Sequence, residues 1–224
     1  MRRVTTSVSQ EDYLKAIWET VQEGQTPISA RLAEDLGVTP PAVTAALKRM
    51  ARGGYLRVLR GGRIALSPKG KGAAHHLVLR HRLAEKLLTD VIGLEWSRAH
   101  EEAEHLEHGM SPEIVRLLLN RFGRDSRCPH GVPLFGGMSR LRRQFGAMRL
   151  SEAKPGRYEI LRVYEKDPLF LEFLEQRNLR PSARLHIVGQ EYDQTMSVVV
   201  TGHGAARMHL GKPATERIWV RPLP

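Results

Sequence analysis

The chain has 224 residues, 41% of them apolar and 26% charged, which fits a soluble globular protein with room for two or three small domains and a real core. No apolar run approaches the roughly 18 residues of a membrane span, and MRRVTTSVSQ lacks the apolar segment of a signal peptide, so a membrane location is excluded and the cytoplasm is expected. The single cysteine, Cys128, rules out an internal disulfide, and a formal net charge of +11 points to an anionic polymer as partner, although solubility alone would also explain it.

Ser9 followed by Asp12 reads as a capping box opening a first helix, whose apolar face is Tyr13, Leu14, Ile17, Trp18 and Val21. Asp12 then serves the helix dipole as a first-turn acid. Gly24 and Pro27 end that helix. A short second one follows from Ile28 to Leu36, with Ile28, Leu32, Ala33 and Leu36 inward, and Gly37 breaks it. Thr39 caps a third helix with Pro40 and Pro41 in its first turn, Val43, Leu47 and Met50 inward, and Thr44, Ala45, Lys48 and Arg52 outward. A short helix, a glycine turn and a capped helix with small and basic residues outward is the helix-turn-helix pattern, whose second helix enters the major groove of DNA. Pro41 and Ala45 are placed for thymine methyls, Thr39 and Thr44 for phosphate or a base edge. Tyr55 to Leu66 is a hairpin around Gly61-Gly62, with Arg60 and Arg63 flanking its tip for phosphate or minor-groove contact. Hairpin and helices together make a winged helix-turn-helix over residues 1–72.

Residues 73–150 read as helical. A long helix runs from about Lys71 to Ile92, where Gly93 stops it, and places His81 and Glu85 at i and i+4 on one face. A second contains His100 to His108. On it Glu104, Glu107 and His108 stand at i, i+3 and i+4, with His100 one turn earlier. A solvated acidic face is the plain explanation of such a run. Its recurrence beside His81 and Glu85 argues for a divalent cation, which relieves repulsion among carboxylates at the edge of a core. Ser111-Pro112 opens a third helix to about Phe122, and the leucine content of all three reads as a dimerisation bundle, which a palindromic operator would match. Cys128-Pro129-His130-Gly131 reads as a turn, one cysteine and one histidine being a poor ligand set. Lys154-Pro155-Gly156 looks like a linker. Beyond it Arg157–Val163, Arg184–Gly189, Ser197–Thr201 and Arg217–Val220 alternate as short strands, with a helix from Pro168 to about Gln176, giving a small barrel over 151–224 and an α+β fold overall.

The run His81-Arg82-Leu83-Ala84-Glu85-Lys86-Leu87-Leu88, then Ile92-Gly93-Leu94, His100 through His108 with Met110-Ser111, and Cys128-Pro129-His130-Gly131, resembles the DtxR/MntR family of metal-dependent transcriptional repressors. The likeness reaches back to Gln10-Glu11-Asp12-Tyr13-Leu14 and forward into the last segment, where the barrel would be the SH3-like (FeoA-like) domain of long family members. The resemblance implies a DNA-binding homodimer that represses on binding metal. It assigns the activating metal to Asp12, Glu104, Glu107 and His108, and an ancillary metal to His81, Glu85 and His100. Asp167 would complete the ancillary set from the barrel, with Glu172 second, although Asp167 before Pro168 also reads as an ordinary helix cap. Carboxylates at Asp12 and Glu104, where the iron-responsive branch has methionine and cysteine, place the chain in the manganese-responsive branch. Lys15, where short manganese repressors have glutamate, favours two separated sites.

Three carboxylates and an imidazole without sulfur suit Mn²⁺, with Fe²⁺ as the alternative and Co²⁺, Zn²⁺ or Cd²⁺ accepted in vitro. Two rival readings stand beside this one. A winged-helix regulator sensing an organic ligand would leave the His/Glu helix merely solvated. A zinc hydrolase would use His100-Glu101 and His105, but zincins need the histidines four residues apart and these are five.

Overall fold

The computed structural model describes residues 8–201 and 207–224. Residues 1–7, the stretch that bears on a signal peptide, lie outside that description. The chain divides into two compact units, Met1–Arg80 and His81–Pro224. No helix among the described residues is long and apolar enough to cross a membrane.

In the first unit, helix α1 runs Val8–Gln22. The backbone of Ser9 is therefore inside the helix, and its expected capping side chain lies outside the described residues. Asp12 falls beyond the first turn, so the dipole role belongs to Glu11, which pairs with Arg80 at 2.7 Å. Helix α2 (Ser29–Asp35) and helix α3 (Pro40–Arg52) follow, separated by Gly37 at φ +62°. Strands β1 (Leu56–Val58) and β2 (Ile64–Leu66) pair antiparallel across a turn in which Gly61 and Gly62 both take positive φ. Ile28 is expected inward, yet it is 41% exposed: its backbone bridges Arg63, tying the start of α2 to the hairpin. The core joins Leu14 and Ile17 of α1, Leu32 of α2, Val43, Leu47 and Met50 of α3, and Leu56 and Ile64 of the hairpin. Each fully buried aliphatic side chain contributes about 1.5–3 kcal/mol. Helix α4 (Pro68–Leu87) begins where the Ser67 hydroxyl accepts from the Gly70 amide at 3.1 Å. Gly70 has no substitute: a Cβ there would sit 1.9 Å from the Tyr55 carbonyl oxygen.

In the second unit, α4 ends in a π-helical turn, Leu88–Ile92, closed by Gly93 at φ +82°. Helix α5 is Trp96–Glu107 and helix α6 is Pro112–Phe122, capped by Ser111. On α6 only Leu118 is buried, while Ile114 and Leu117 are 42% and 53% exposed. Helix α7 (Gly137–Phe145) has no counterpart among the elements expected from sequence. Strands β3 (Met148–Arg149), β4 (Gly156–Val163), β5 (Arg184–Gln190), β6 (Met196–Val200), β7 (Arg207–Leu210) and β8 (Ile218–Pro222) form one antiparallel sheet in the order β3-β8-β4-β5-β6-β7. Helices α8 (Pro168–Glu175) and α9 (Lys212–Thr215) accompany it. The expected linker is not a free one. Leu150 and Ala153, just before it, are buried in the core of the sheet, together with Leu171 and Leu174 of α8 and Trp96 of α5. Trp96 also donates its indole N–H to Glu175 of α8 at 2.9 Å, so the helical part and the sheet share one interior.

Candidate metal centre and nucleic-acid surface

Helix α5 turns Ala99, His100, Ala103 and Glu107 inward at the helical period, and the two alanines are fully buried. Opposite them stand His81 and Glu85 of α4. Glu85 and Glu107 are each 1% exposed, so neither carboxylate has water to solvate it. Imidazoles take that place. Nδ1 of His81 lies 2.5 Å from Oε2 of Glu107, while Nε2 of the same ring lies 3.1 Å from Oε1 of Glu85 and 2.9 Å from Nδ1 of His100. His100 Nδ1 is in turn 3.3 Å from Glu85 Oε1. Oε2 of Glu85 is buried and has no hydrogen-bond partner among the described residues.

The turn read as merely structural enters the same cluster. His130, fully buried, brings Nδ1 to 3.1 Å from Glu85 Oε1 and Nε2 to 3.0 Å from the Trp96 carbonyl oxygen. Cys128 is buried beside it, with one donor atom each from Cys128, His130 and Glu85 within 4.8 Å of one another. Burial would raise the Glu85 pKa, but the charges of His130 and His81 and hydrogen bonds from His100 and His130 hold it well below the usual carboxylate range. Burial would lower the pKa of His130; the Glu85 carboxylate overcomes this and holds it well above the usual imidazole range. The Cys128 thiol is pushed up by burial and by Glu85.

The expected primary ligands are spread along α5. Glu107 is buried, with its Oε1 3.7 Å from Nε2 of His108 at the helix C-cap. Glu104 is half-exposed, with its Oε1 3.7 Å from Nε2 of His100. Asp12 is half-buried on α1, in the other unit. His81, Glu85 and His100, the residues read as ancillary ligands, are brought together: one donor atom from each lies within 4.8 Å of the others. Asp167 does not join it. Its Oδ1 accepts from the Phe170 amide at 3.1 Å and its Oδ2 pairs with Arg217 at 2.6 Å, so it is the cap of α8. Glu172 is exposed. Glu165, two residues before Asp167, is near enough for its charge to interact with Glu85, His100 and His130, and it pairs with Arg162 at 3.0 Å. Burial raises its pKa, but Arg162, aided by His100 and His130, brings it below the usual range against the opposing charge of Glu85. Sequence carries no signal for Glu165 as a cluster member, and the Cys128 and His130 pair reads there as a poor ligand set because nothing in the turn shows that it packs against Glu85 of α4.

On the first unit Thr39, Pro40, Pro41, Thr44, Ala45 and Lys48 are all exposed, while Val43, Ala46, Leu47 and Met50 hold α3 to the core. Thr39 is the N-cap by backbone but makes no side-chain capping bond. The Thr44 hydroxyl donates to the Pro40 carbonyl at 3.0 Å, which leaves its lone pairs outward. Arg60 and Arg63 are exposed at the hairpin tip. His105 is exposed on α5 while His100 is buried, so the histidine pair of a zincin does not share a face here.

A buried group of carboxylates and imidazoles, with one carboxylate oxygen left without a partner, fits a divalent cation by its donor chemistry. Residues 5–60 match the family described as iron dependent repressor, N-terminal DNA binding domain, and residues 67–136 match its metal binding and dimerisation domain. The chain is 33% identical over 201 residues to the diphtheria toxin repressor of Corynebacterium efficiens, covering 87% of each protein. It is 41% identical to the iron-dependent repressor IdeR of Mycobacterium leprae over 126 residues, 56% of this chain and 55% of that one. Among solved structures, a manganese-dependent transcriptional repressor in complex with manganese superposes with a TM-score of 0.86 at 28% identity, covering 96% of this chain and all of that one. The repressor ScaR with bound Cd²⁺ superposes at 0.79 and 28% identity, over 96% of this chain and 99% of that one.

Proposed function

Since the chain belongs to the DtxR/MntR family of metal-dependent DNA-binding transcriptional repressors, we propose that it is a manganese-responsive homodimeric repressor of metal-ion homeostasis genes, with iron as the alternative effector. Asp12, Glu104, Glu107 and His108 hold the activating ion, and His81, Glu85 and His100 hold the ancillary one, with Glu165 rather than Asp167 as the barrel carboxylate. When bound, the cation supplies positive charge that lets these carboxylates stay ionised side by side. The observation that carries this reading is Glu107, a buried carboxylate with one oxygen against His81 and the other facing His108, in the segment matched to the metal-binding domain.

Asp12 belongs to the DNA-binding unit and the other activating ligands to the second unit. A ligand set drawn from both is complete in only one arrangement, so occupancy selects that arrangement from a looser ensemble. Two copies of α3 are thereby held at the spacing of successive major grooves on a palindromic operator. Thr39, Pro40, Pro41, Thr44 and Lys48 meet bases and backbone; Arg60 and Arg63 hold phosphates. Oxygen-rich ligands favour Mn²⁺ or Fe²⁺ in the cell, whereas Co²⁺, Zn²⁺ or Cd²⁺ would load in vitro. The test is a gel-shift titration of operator DNA with Mn²⁺. The parent gains roughly 5- to 150-fold in affinity, the usual allosteric range, and Asp12→Ala loses that gain while remaining dimeric. Equal stimulation of both proteins would refute the mechanism.

A further inference from the structure

The cluster holds more donors than the ancillary trio uses. His81 Nε2, His100 Nδ1 and His130 Nδ1 all approach Oε1 of Glu85, and one donor atom each from Glu85, Cys128 and His130 also lies within 4.8 Å of the others. The Trp96 carbonyl can only accept, so His130 Nε2, 3.0 Å away, carries the ring proton. A ring N–H anchored on a backbone carbonyl is how ligating histidines are oriented, and it leaves Nδ1 for a cation. That Nδ1 is aimed at Glu85 Oε1, 3.1 Å away, and two acceptors at such a distance need a proton or a metal between them. The buried Oε2 of Glu85, without a partner among the described residues, offers a further donor on the same carboxylate.

The backbone holds this set ready. The Gly131 amide donates to the Cys128 carbonyl at 2.9 Å, Cys128 N–H to Val132 O at 2.9 Å, and Val163 N–H to His130 O at 3.0 Å, which fixes the turn against β4. Trp96 and Pro129 also line an open cleft of about 470 Å³, so solvent reaches the residue between the two donors. We propose that Glu85, Cys128 and His130 form a second metal compartment, for a thiophilic divalent ion of the Zn²⁺ class, joined to the His81–Glu85–His100 compartment through the shared Glu85 carboxylate. A thiolate, an imidazole and a carboxylate suit Zn²⁺ or Co²⁺, whereas Mn²⁺ prefers oxygen, so the two compartments differ in the metal they select.

Cys128 is the only cysteine, so any thiolate-to-Co²⁺ charge-transfer absorption in the near ultraviolet reports this compartment alone. Titration of the full-length protein with Co²⁺ should produce that band, Zn²⁺ should abolish it, and about a tenfold excess of Mn²⁺ should leave it. His100→Ala, which removes a ligand of the other compartment only, should keep the band. Cys128→Ser should lose it together with one bound Zn²⁺ per chain by elemental analysis. Absence of the band from the parent at saturating Co²⁺ overturns the proposal, whether or not the variants fold. So does unchanged Zn²⁺ stoichiometry in a folded Cys128→Ser. Neither result depends on operator binding, so the repressor reading stands or falls separately.

Discussion

His81 and Glu107 meet at 2.5 Å through Nδ1 and Oε2, while the other nitrogen of the same ring faces Glu85 and His100. One imidazole therefore touches a carboxylate of the proposed activating set and belongs to the proposed ancillary one. Losing it should disturb both. His81→Ala is expected to weaken Mn²⁺ binding at both classes of site, by about 10- to 100-fold at the one where it acts from outside the ligand set. Isothermal titration resolves the two; a change confined to one class would show that the ring does not join them.

At the hairpin tip, Arg60 and Arg63 are exposed, and their proposed partners are phosphates rather than bases. Replacing either with alanine should weaken binding evenly across operator sequences and reduce the slope of log affinity against log salt by about 0.9 for each phosphate no longer neutralised. Thr44→Val on α3 should instead change the ranking of operators. Fluorescence anisotropy at several salt concentrations separates the two behaviours, and a sequence-selective effect of Arg60→Ala would contradict this division.

The Glu85–His130 pair gives the metal-free protein a defined pH response. His130 is raised above its ordinary 6.5, so its contribution is complete below about that pH and is lost as pH climbs through the raised value. Glu85 is lowered beneath its ordinary 4.5, so its contribution is present above that pH and is lost on acidification through the lowered value. Between the two ordinary values the pair supports the metal-free fold most. Cations compete with protons for the imidazoles, so the rise in Tm on adding Mn²⁺ should be larger at about pH 7.5 than at about pH 5.5. Scanning fluorimetry with and without Mn²⁺ checks this, and an equal shift at both would count against it.

Ile114 and Leu117 on α6 present apolar surface that a lone chain leaves 42% and 53% exposed. Placing a charge there, as in Leu117→Glu, should convert the dimer to monomer by sedimentation equilibrium and abolish operator binding, because a charge in a dimer core goes unsolvated. A dimer of unchanged affinity would locate the interface on another face.

What is legible in the sequence is local. His81 with Glu85 and Glu104 with His108 are one turn apart on single helices, so spacing alone places each pair on one face. Short apolar-rich runs disclose β4, β5, β6 and β8, although only β5 alternates in burial. Strands β3 and β7 escape notice because two and four residues carry too little pattern to detect. Helix α7 escapes because Arg140, Arg142 and Arg143 dilute its apolar positions Met138 and Leu141. The pairing of His130 with Glu85 spans 45 positions, and nothing in a turn sequence announces where its side chains will point. Asp167 outranks Glu165 in sequence because the family resemblance points to it, whereas its place before Pro168 already reads as the helix cap it turns out to be.

Gly131 sits at φ +92°, and a Cβ on it would lie 2.0 Å from the Leu161 carbonyl oxygen of β4. The sheet is thus the bench on which the Cys-Pro-His-Gly loop is clamped, not an appendage. A shortened chain ending near residue 150 would unseat His130 from Glu85, a mechanical dependence that gives the sheet a part in holding the cluster.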